Sequence, residues 1–179
     1  MAILSAHRYT PKARWLHWVM AALVVLAYCL ILSRTQFERF SPYRAMVVQG
    51  HFMVGLLLLG LAFFRVAERR RHSPPSINPP LQGSLQRLAT LTHYLMYAFL
   101  FVQPVLGLLT VMVEKGALPI VFTGWSIPWP LTTSGHVAER FEDLHKLFGS
   151  LFYFVAGLHV VAALWHHFIR KDDTLKRML

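Results

Sequence analysis

The sequence has little charge and almost no cysteine. Only 15% of its 179 residues are charged, well below the share in soluble domains, while 55% are hydrophobic. Such a composition excludes a disordered chain. The single cysteine, Cys29, excludes a disulfide framework and a cysteine-ligated zinc or iron–sulfur site. The chain also lacks a glycine-rich phosphate loop and a nucleophile elbow, so the motifs of nucleotide hydrolysis and serine hydrolase chemistry are missing.

Acidic residues are the scarcer charge. Eight Asp and Glu stand against 18 Lys and Arg, which gives a formal net charge of +10. An apolar chain with such an excess is typical of a membrane protein whose charges lie in its loops. We therefore expect membrane lipid, and no nucleic acid, as a partner. The length suits one domain, and we predict a single integral-membrane domain over 1–179.

Four long stretches contain no charged residue. Each is rich in Leu, Val, Ala and Phe, and they cover residues 15–33, 45–64, 88–113 and 147–169. A helix needs about 20 residues to cross about 30 Å of hydrocarbon. The sequence therefore predicts an all-α fold, a transmembrane four-helix bundle with helices near 15–33, 45–64, 88–113 and 139–170.

Two segments resemble features that we do not predict here, namely a cleaved signal peptide and a fifth membrane-spanning helix. The first apolar stretch follows basic residues, as a cleaved signal peptide would, but Tyr28 stands where a small residue is expected. We therefore predict that it is retained as a helix. A fifth uncharged stretch, residues 116–138, contains Pro119, Pro128 and Pro130, which break helices. We predict a long loop there, in the membrane interface.

Lys and Arg are distributed unequally between the two sides of the predicted bundle. The side that holds the N-terminus carries 12 of them and the opposite side 6. Because cytoplasmic loops are enriched in these residues, we predict that both termini are cytoplasmic. The net charge is then +9 inside and +1 outside, so the total says little about an anionic substrate.

Histidines inside the apolar stretches are the main functional signal, because ionisable residues in membrane helices are costly. His145 and His159 are fourteen residues apart, which places them on nearly the same helix face about 21 Å from each other. His51 lies toward the outer end of helix two, and His17 lies near the inner end of helix one. Matching by depth predicts two pairs, His51 with His145 and His17 with His159.

Neutral imidazoles that face each other between helices are typical axial ligands of haem iron. A zinc ion would gather three or four ligands at one point, whereas these histidines lie at two levels. An interhelical hydrogen bond is the alternative for any single histidine. On depth alone, His166 competes with His159 as the inner partner of His17.

At this point the sequence resembles the bacterial cytochrome b561 family over nearly its whole length. The resemblance implies a four-helix cytochrome of the bacterial inner membrane with two haem b groups. It also assigns the axial iron ligands to His17, His51, His145 and His159, which decides between His159 and His166. The shared segments are Arg14-Trp15-Leu16-His17-Trp18, His51, Leu91-Thr92-His93, Leu144-His145-Lys146, Gly157-Leu158-His159, Leu164-Trp165-His166-His167 and Lys171-Asp172-Asp173-Thr174-Leu175.

Within that family, the sequence is most similar to members that oxidise superoxide at the outer face and pass the electrons to ubiquinone. The resemblance implies that His93 and His166 border the quinone site as catalytic residues. Those members carry a lysine on the inner loop, whereas residues 76–80 here contain none. Two other interpretations stay open. One is a non-catalytic electron-transfer subunit that serves a periplasmic redox partner, and the other is a haem-free structural or transport protein.

Several arginines flank the predicted sites. Arg34, Arg39 and Arg44 form a basic stretch on the outer side near His51. They either focus anions toward the outer haem or anchor helix ends and haem propionates. On the inner side the corresponding candidates for propionates or lipid phosphates are Arg70, Arg71 and Arg87.

Overall fold

Four helices dominate the structure, a computed structural model that describes residues 8–120, 123–129 and 135–179. A 3-10 turn, Arg34–Gln36, follows the first helix, and a π-helical turn, His166–Arg170, follows the last. All four helices are long and apolar enough to cross a membrane, which confirms the predicted transmembrane bundle. The helices are α1 (Pro11–Ser33), α2 (Pro42–Arg71), α3 (Gly83–Lys115) and α4 (Gly135–Trp165).

Local sequence explains where the first two helices begin. Thr10 and Ser41 cap them, and each cap is followed by a proline at the first helical position. The helices extend past the uncharged stretches. In particular, α2 continues to Arg71 rather than ending near 64, and its three arginines in the last turn suit the negative end of the helix dipole.

The prediction of a loop between the third and fourth helices was wrong in part, because this segment contains a β-hairpin. Strand β1 (Ala117–Ile120) pairs antiparallel with β2 (Trp125–Pro128). Prolines are tolerated here because each strand of a two-stranded sheet has a free edge. Residues 121–122 and 130–134 of the predicted loop lie outside the described residues.

The helices pack as two close pairs, α1 with α2 and α3 with α4, and α2 also packs on α3. Among the described residues, no Cα of α4 lies within 8 Å of a Cα of α1 or α2. A groove therefore runs between α4 and the α1–α2 pair. We call its two ends the hairpin end, where β1 and β2 lie, and the termini end, where the described chain begins and finishes.

A small apolar core fills the middle of the bundle. Its central residues are Met20, Leu58, Ala62, Phe99, Leu100 and Phe152. The rings of Phe99 and Phe152 stack with their centroids 5.3 Å apart. Many apolar side chains elsewhere face outward, as expected for helices surrounded by lipid.

The C-terminal tail, residues 171–179, folds back over the termini end. The backbone N–H of Tyr9 donates to the carbonyl of Arg177 over 3.2 Å, and the indole N–H of Trp18 donates to the carbonyl of Met178 over 2.9 Å. On the other side, a carboxylate oxygen of Asp173 accepts a 2.9 Å hydrogen bond from the backbone of Asn78. The tail thereby joins the start of α1 to the α2–α3 connection.

Candidate functional site

The structure brings His51 of α2 and His145 of α4 together across the groove at the hairpin end. Their ring centroids are 6.1 Å apart. An iron bound by one nitrogen of each ring at about 2 Å would hold the ring centres roughly 6 Å apart. Each Nδ1 lies beside a backbone carbonyl, that of Ala27 for His51 (2.9 Å) and that of Gln103 for His145 (3.1 Å). If both Nδ1–H groups donate there, both Nε2 atoms are free to bind metal.

A cavity of about 490 Å³ adjoins this pair. Its lining is mostly apolar and includes Leu58, Phe99 and Phe152 of the central core. Gly55, one turn from His51, also lines it, and a Cβ at that glycine would meet nothing within 4 Å. An open, apolar space beside two facing imidazoles is what a haem requires.

Neighbouring helices hold one turn of α4 beside this cavity from two sides. The side-chain amide of Gln103 donates to the carbonyl of His145 over 2.9 Å, and the hydroxyl of Tyr28 donates to the carbonyl of Gly149 over 2.6 Å. A Cβ on Gly149 would lie 2.9 Å from Nε2 of Gln103. A Cβ on Gly107 would lie 2.9 Å from Cε1 of His145. These two glycines therefore admit the contacts that fix His145.

At the termini end, His17 of α1 and His159 of α4 lie across the groove with ring centroids 6.2 Å apart. His93 of α3 is a third ring, with its centroid 5.7 Å from that of His159. Because α3 and α4 pack closely, only His17 and His159 face each other across the groove. Within the described ranges, no three His, Cys, Asp or Glu side chains form a group suited to a metal ion, so they offer no zinc site.

Arg65 of α2 is the charged group beside the termini-end pair. Its Nη2 lies 3.3 Å from Nδ1 of His17, and its Nη1 donates to the carbonyl of Ala13 over 3.3 Å. Its electrostatic influence also reaches His159 and His93. In the part of the chain that the structure describes, no carboxylate pairs with Arg65.

His166 lies in the π-helical turn and is held by the C-terminal tail. Its Nδ1 is 2.5 Å from Oδ2 of Asp172, and Nε of Arg170 donates to the same oxygen over 2.8 Å. Burial alone would raise the pKa of Asp172, but hydrogen bonds from His166 and Thr174 lower this pKa below its usual value. The structure thus gives His166 different neighbours from His93, whose ring lies beside His159.

The arginines of the basic stretch on the α1–α2 connection, Arg34, Arg39 and Arg44, have different surroundings. The guanidinium of Arg44 donates to the carbonyls of Arg34 (3.1 Å) and Phe37 (3.5 Å), so Arg44 anchors this connection. Arg39 is exposed. Arg34 acts electrostatically on His51, and Glu142 acts with the opposite sign on His145.

Two residues of the site were missed by sequence reasoning. Arg65 was counted only as an inner charge, although it follows His51 by fourteen residues, the same spacing that separates His145 from His159. Helical periodicity therefore contained the signal. Gln103 carried no such signal, because its role depends on the close approach of α3 to α4.

Comparison with known proteins gives a consistent result. The model of the family described as prokaryotic cytochrome b561 matches residues 8–179. Cytochrome b561 homolog 1 of Escherichia coli (strain K12) is 28% identical over 173 residues, covering 97% of each chain. The probable superoxide oxidase CybB of Yersinia pestis is 31% identical over 173 residues, covering 96% of each chain. Cytochrome b561 homolog 2 of Escherichia coli (strain K12) is 30% identical over 176 residues, covering 98% of this chain and 93% of the relative.

The family binds haem b, and the hairpin end of the groove fits this group by its histidine spacing, its backbone acceptors at Nδ1 and its apolar cavity. The four spanning helices and the family match make the chain a multi-pass protein of the bacterial inner membrane. The groove, the spans and the match together identify the chain as a haem-binding, electron-transferring member of the prokaryotic cytochrome b561 family.

Proposed function

We propose that this cytochrome holds two haem b groups, one between His51 and His145 and one between His17 and His159. It oxidises superoxide at the hairpin end and reduces ubiquinone at the termini end. The observation that carries the proposal is the presence of two facing histidine pairs in one groove, with ring spacings of 6.1 and 6.2 Å. In this proposal residues 1–179 form one domain, and both termini are cytoplasmic.

Haem b supplies an iron that alternates between the ferric and ferrous states and carries one electron at a time. Two superoxide ions lose one electron each and become dioxygen. One ubiquinone gains two electrons and two protons and becomes ubiquinol. The protein residues hold the groups, exclude water from the groove and deliver the protons.

At the hairpin end, the attraction of superoxide depends on local charge, because the predicted outer side has a net charge of only +1. Arg39 is exposed, and Arg34 lies near enough to act on His51. Arg44 is bound to backbone carbonyls and serves the connection itself. We therefore assign the local attraction to Arg34 and Arg39.

At the termini end, His93 supports the quinone assignment. It is exposed on the surface of α3, where a quinone dissolved in lipid can reach it, and its ring is 5.7 Å from that of His159. A histidine can donate a hydrogen bond to a quinone carbonyl and can supply a proton.

We assign the role of proton carrier to the pair formed by His166 and Asp172, whose side chains are almost fully buried. Residues 76–80 lack the lysine that the family resemblance leads us to expect, but Arg170 donates to the carbonyls of Pro79 (3.1 Å) and Pro80 (2.9 Å). Arg170 therefore supplies a cation to this connection from a different helix.

The reaction is tested by mixing the purified, oxidised protein with superoxide and following haem reduction by absorbance. We expect rapid reduction that superoxide dismutase suppresses, and reoxidation on addition of a ubiquinone analogue. Arg39→Gln should slow the first phase only, and His93→Gln the second only. Absence of reduction by superoxide, in a protein with its full haem content, would refute the proposed reaction.

An electron-transfer subunit is the second candidate function. It is favoured by the exposed apolar side chains of the hairpin, Trp125, Ile127 and Ile120, which offer a surface to a partner protein. The mixing experiment separates the two, because a subunit of this kind would be reduced by its partner and not by superoxide.

A further inference from the structure

The two histidine pairs provide the same type of axial ligand, so any difference in reduction potential between their haems must come from the surroundings. The protein can act on haem potential through hydrogen bonds to the ligands, burial and nearby charge. The two ends of the groove differ in the first and the last of these.

At the hairpin end, the hydrogen bonds raise the electron density on the ligands. Both Nδ1 atoms lie beside neutral backbone carbonyls, at 2.9 and 3.1 Å. Donation to such an acceptor makes an imidazole more basic, which favours the ferric state. The charged groups that act on this pair have opposite signs, Arg34 on His51 and Glu142 on His145, so they offset each other.

At the termini end, a cation lies beside Nδ1 of His17. If Nε2 of His17 binds iron, Nδ1 keeps its proton, so Arg65, which has donors only, acts on this ring by its charge and not by a hydrogen bond. Arg65 lies 3.3 Å from Nδ1 of His17, acts also on His159, and is always protonated. Arg69 adds positive potential at His93. The nearby acid, Glu68, accepts a 2.6 Å hydrogen bond from Thr10 and pairs with His72 at 3.1 Å, and it forms no ion pair with Arg65.

We propose that Arg65 raises the reduction potential of the haem held by His17 and His159 above that of the haem held by His51 and His145. The inference rests on the proposed pair of haems. Reduction adds one electron and makes or breaks no bond, so a nearby cation that pairs with no carboxylate of the described residues stabilises the reduced state. Electrons then reside preferentially at the termini end, where ubiquinone is proposed to be reduced. Arg65 thereby favours electron transfer from the hairpin end toward the termini end.

The test is a potentiometric titration of the visible haem band in the holoprotein. Wild type should show two one-electron waves, and His145→Ala, which removes the hairpin-end ligand, should retain the upper one. Arg65→Gln should lower the upper wave so that the equilibrium constant for electron sharing falls at least tenfold, which is about 59 mV for one electron. Arg65→Lys, which keeps the charge, should restore most of the difference.

A second variant covers the case in which Arg65→Gln does not retain both haems. Ala13 and Arg65 line the same cavity, and the guanidinium of Arg65 bonds the Ala13 carbonyl, so Ala13→Asp adds a negative charge near this cation and should lower the same wave. An upper wave that stays in place in both variants, or a shift confined to the lower wave, would overturn the inference. Fewer than two haems per wild-type chain would instead refute the proposed function, so the two failures are distinguishable.

Discussion

The hairpin end and the termini end of the groove hold similar histidine pairs in different settings. At the hairpin end, backbone carbonyls of α1 and α3 orient the rings, and Gln103 fixes the backbone of His145 as well. At the termini end, a guanidinium contacts His17, a third ring lies beside His159, and the C-terminal tail covers the helix ends. The histidines at the hairpin end thus lie beside neutral backbone carbonyls, whereas His17 at the termini end lies beside a positive charge.

This difference suits different chemistry at the two ends. In the proposed reaction, superoxide gives up its electron without a proton, so the hairpin end would need only a fixed pair of ligands and a local cation. The proposed reduction of quinone consumes protons, so the termini end would need titratable groups such as His93, His166 and Asp172.

The assignment of ligands at the termini end gives the largest effect. His17→Ala should remove one of two haems, whereas His93→Ala should leave both, because among the described histidines at this end it is His17, and not His93, that faces His159 across the groove. Pyridine haemochrome assays against protein concentration measure this ratio. The reverse pattern would show that α3, and not α1, supplies the ligand.

Close packing around His145 distinguishes the hairpin end. Gly107→Ala would place a Cβ 2.9 Å from the ring, so His145 must move. We expect weaker retention of the hairpin-end haem and a loss of about 1–3 kcal/mol in stability. The matched control is Gly60→Ala on α2, where a Cβ meets nothing within 4 Å, and it should gain up to about 1 kcal/mol. Equal haem content in both variants would contradict this account.

The hydrogen bond between Tyr28 and Gly149 has a smaller effect. Tyr28→Phe removes the 2.6 Å bond to α4 and should lower the free energy of unfolding by about 0.5–1.5 kcal/mol, with haem content unchanged. Tyr153→Phe is the control, because Tyr153 contacts the Tyr28 ring at a centroid distance of 6.0 Å and its side chain is exposed. Thermal unfolding followed by circular dichroism compares the two, and a larger loss for Tyr153→Phe would count against the proposed grip on α4.

For the C-terminal tail we expect the smallest change in stability, and we expect this change to depend on pH. The pKa of Asp172 is lowered in the folded protein, so its carboxylate stabilises the tail at pH values above its unfolded pKa of about 3.9. This stabilisation is lost as the pH falls through the lower, folded-state pKa. Asp172→Asn should therefore make the tail more sensitive to proteolysis at neutral pH, and the difference from wild type should shrink below about pH 4. A difference that is independent of pH would contradict the assignment.

The sequence was sufficient to predict the four helices, because absence of charge over about 20 residues is a strong signal for a membrane span. It was not sufficient for the helix ends, since α2 continues through charged residues to Arg71. It also missed the hairpin of β1 and β2, because prolines that exclude a helix do not distinguish a loop from a short two-stranded sheet.

The histidine pairs could be anticipated because depth and helical period follow from position in the chain, and the structure places these rings together as that reasoning expected. Their role as iron ligands stays a prediction. Other contacts depend on how closely neighbouring helices approach, which periodicity within one helix does not determine. These are the hydrogen bond from Gln103 to the carbonyl of His145 and the contact of Arg65 with His17. The same is true of the C-terminal tail, whose hydrogen bonds to Trp18 and Asn78 join residues more than 90 positions apart.

The most direct test of the account is the haem content of the purified protein and of two single variants. We expect two haem b groups per wild-type chain, and one per chain in both His51→Ala and His145→Ala, with the remaining haem spectrally the same in the two variants. A wild-type chain with a single haem, or either variant retaining two, would contradict the claim that facing histidines at the two ends of one groove each hold a haem.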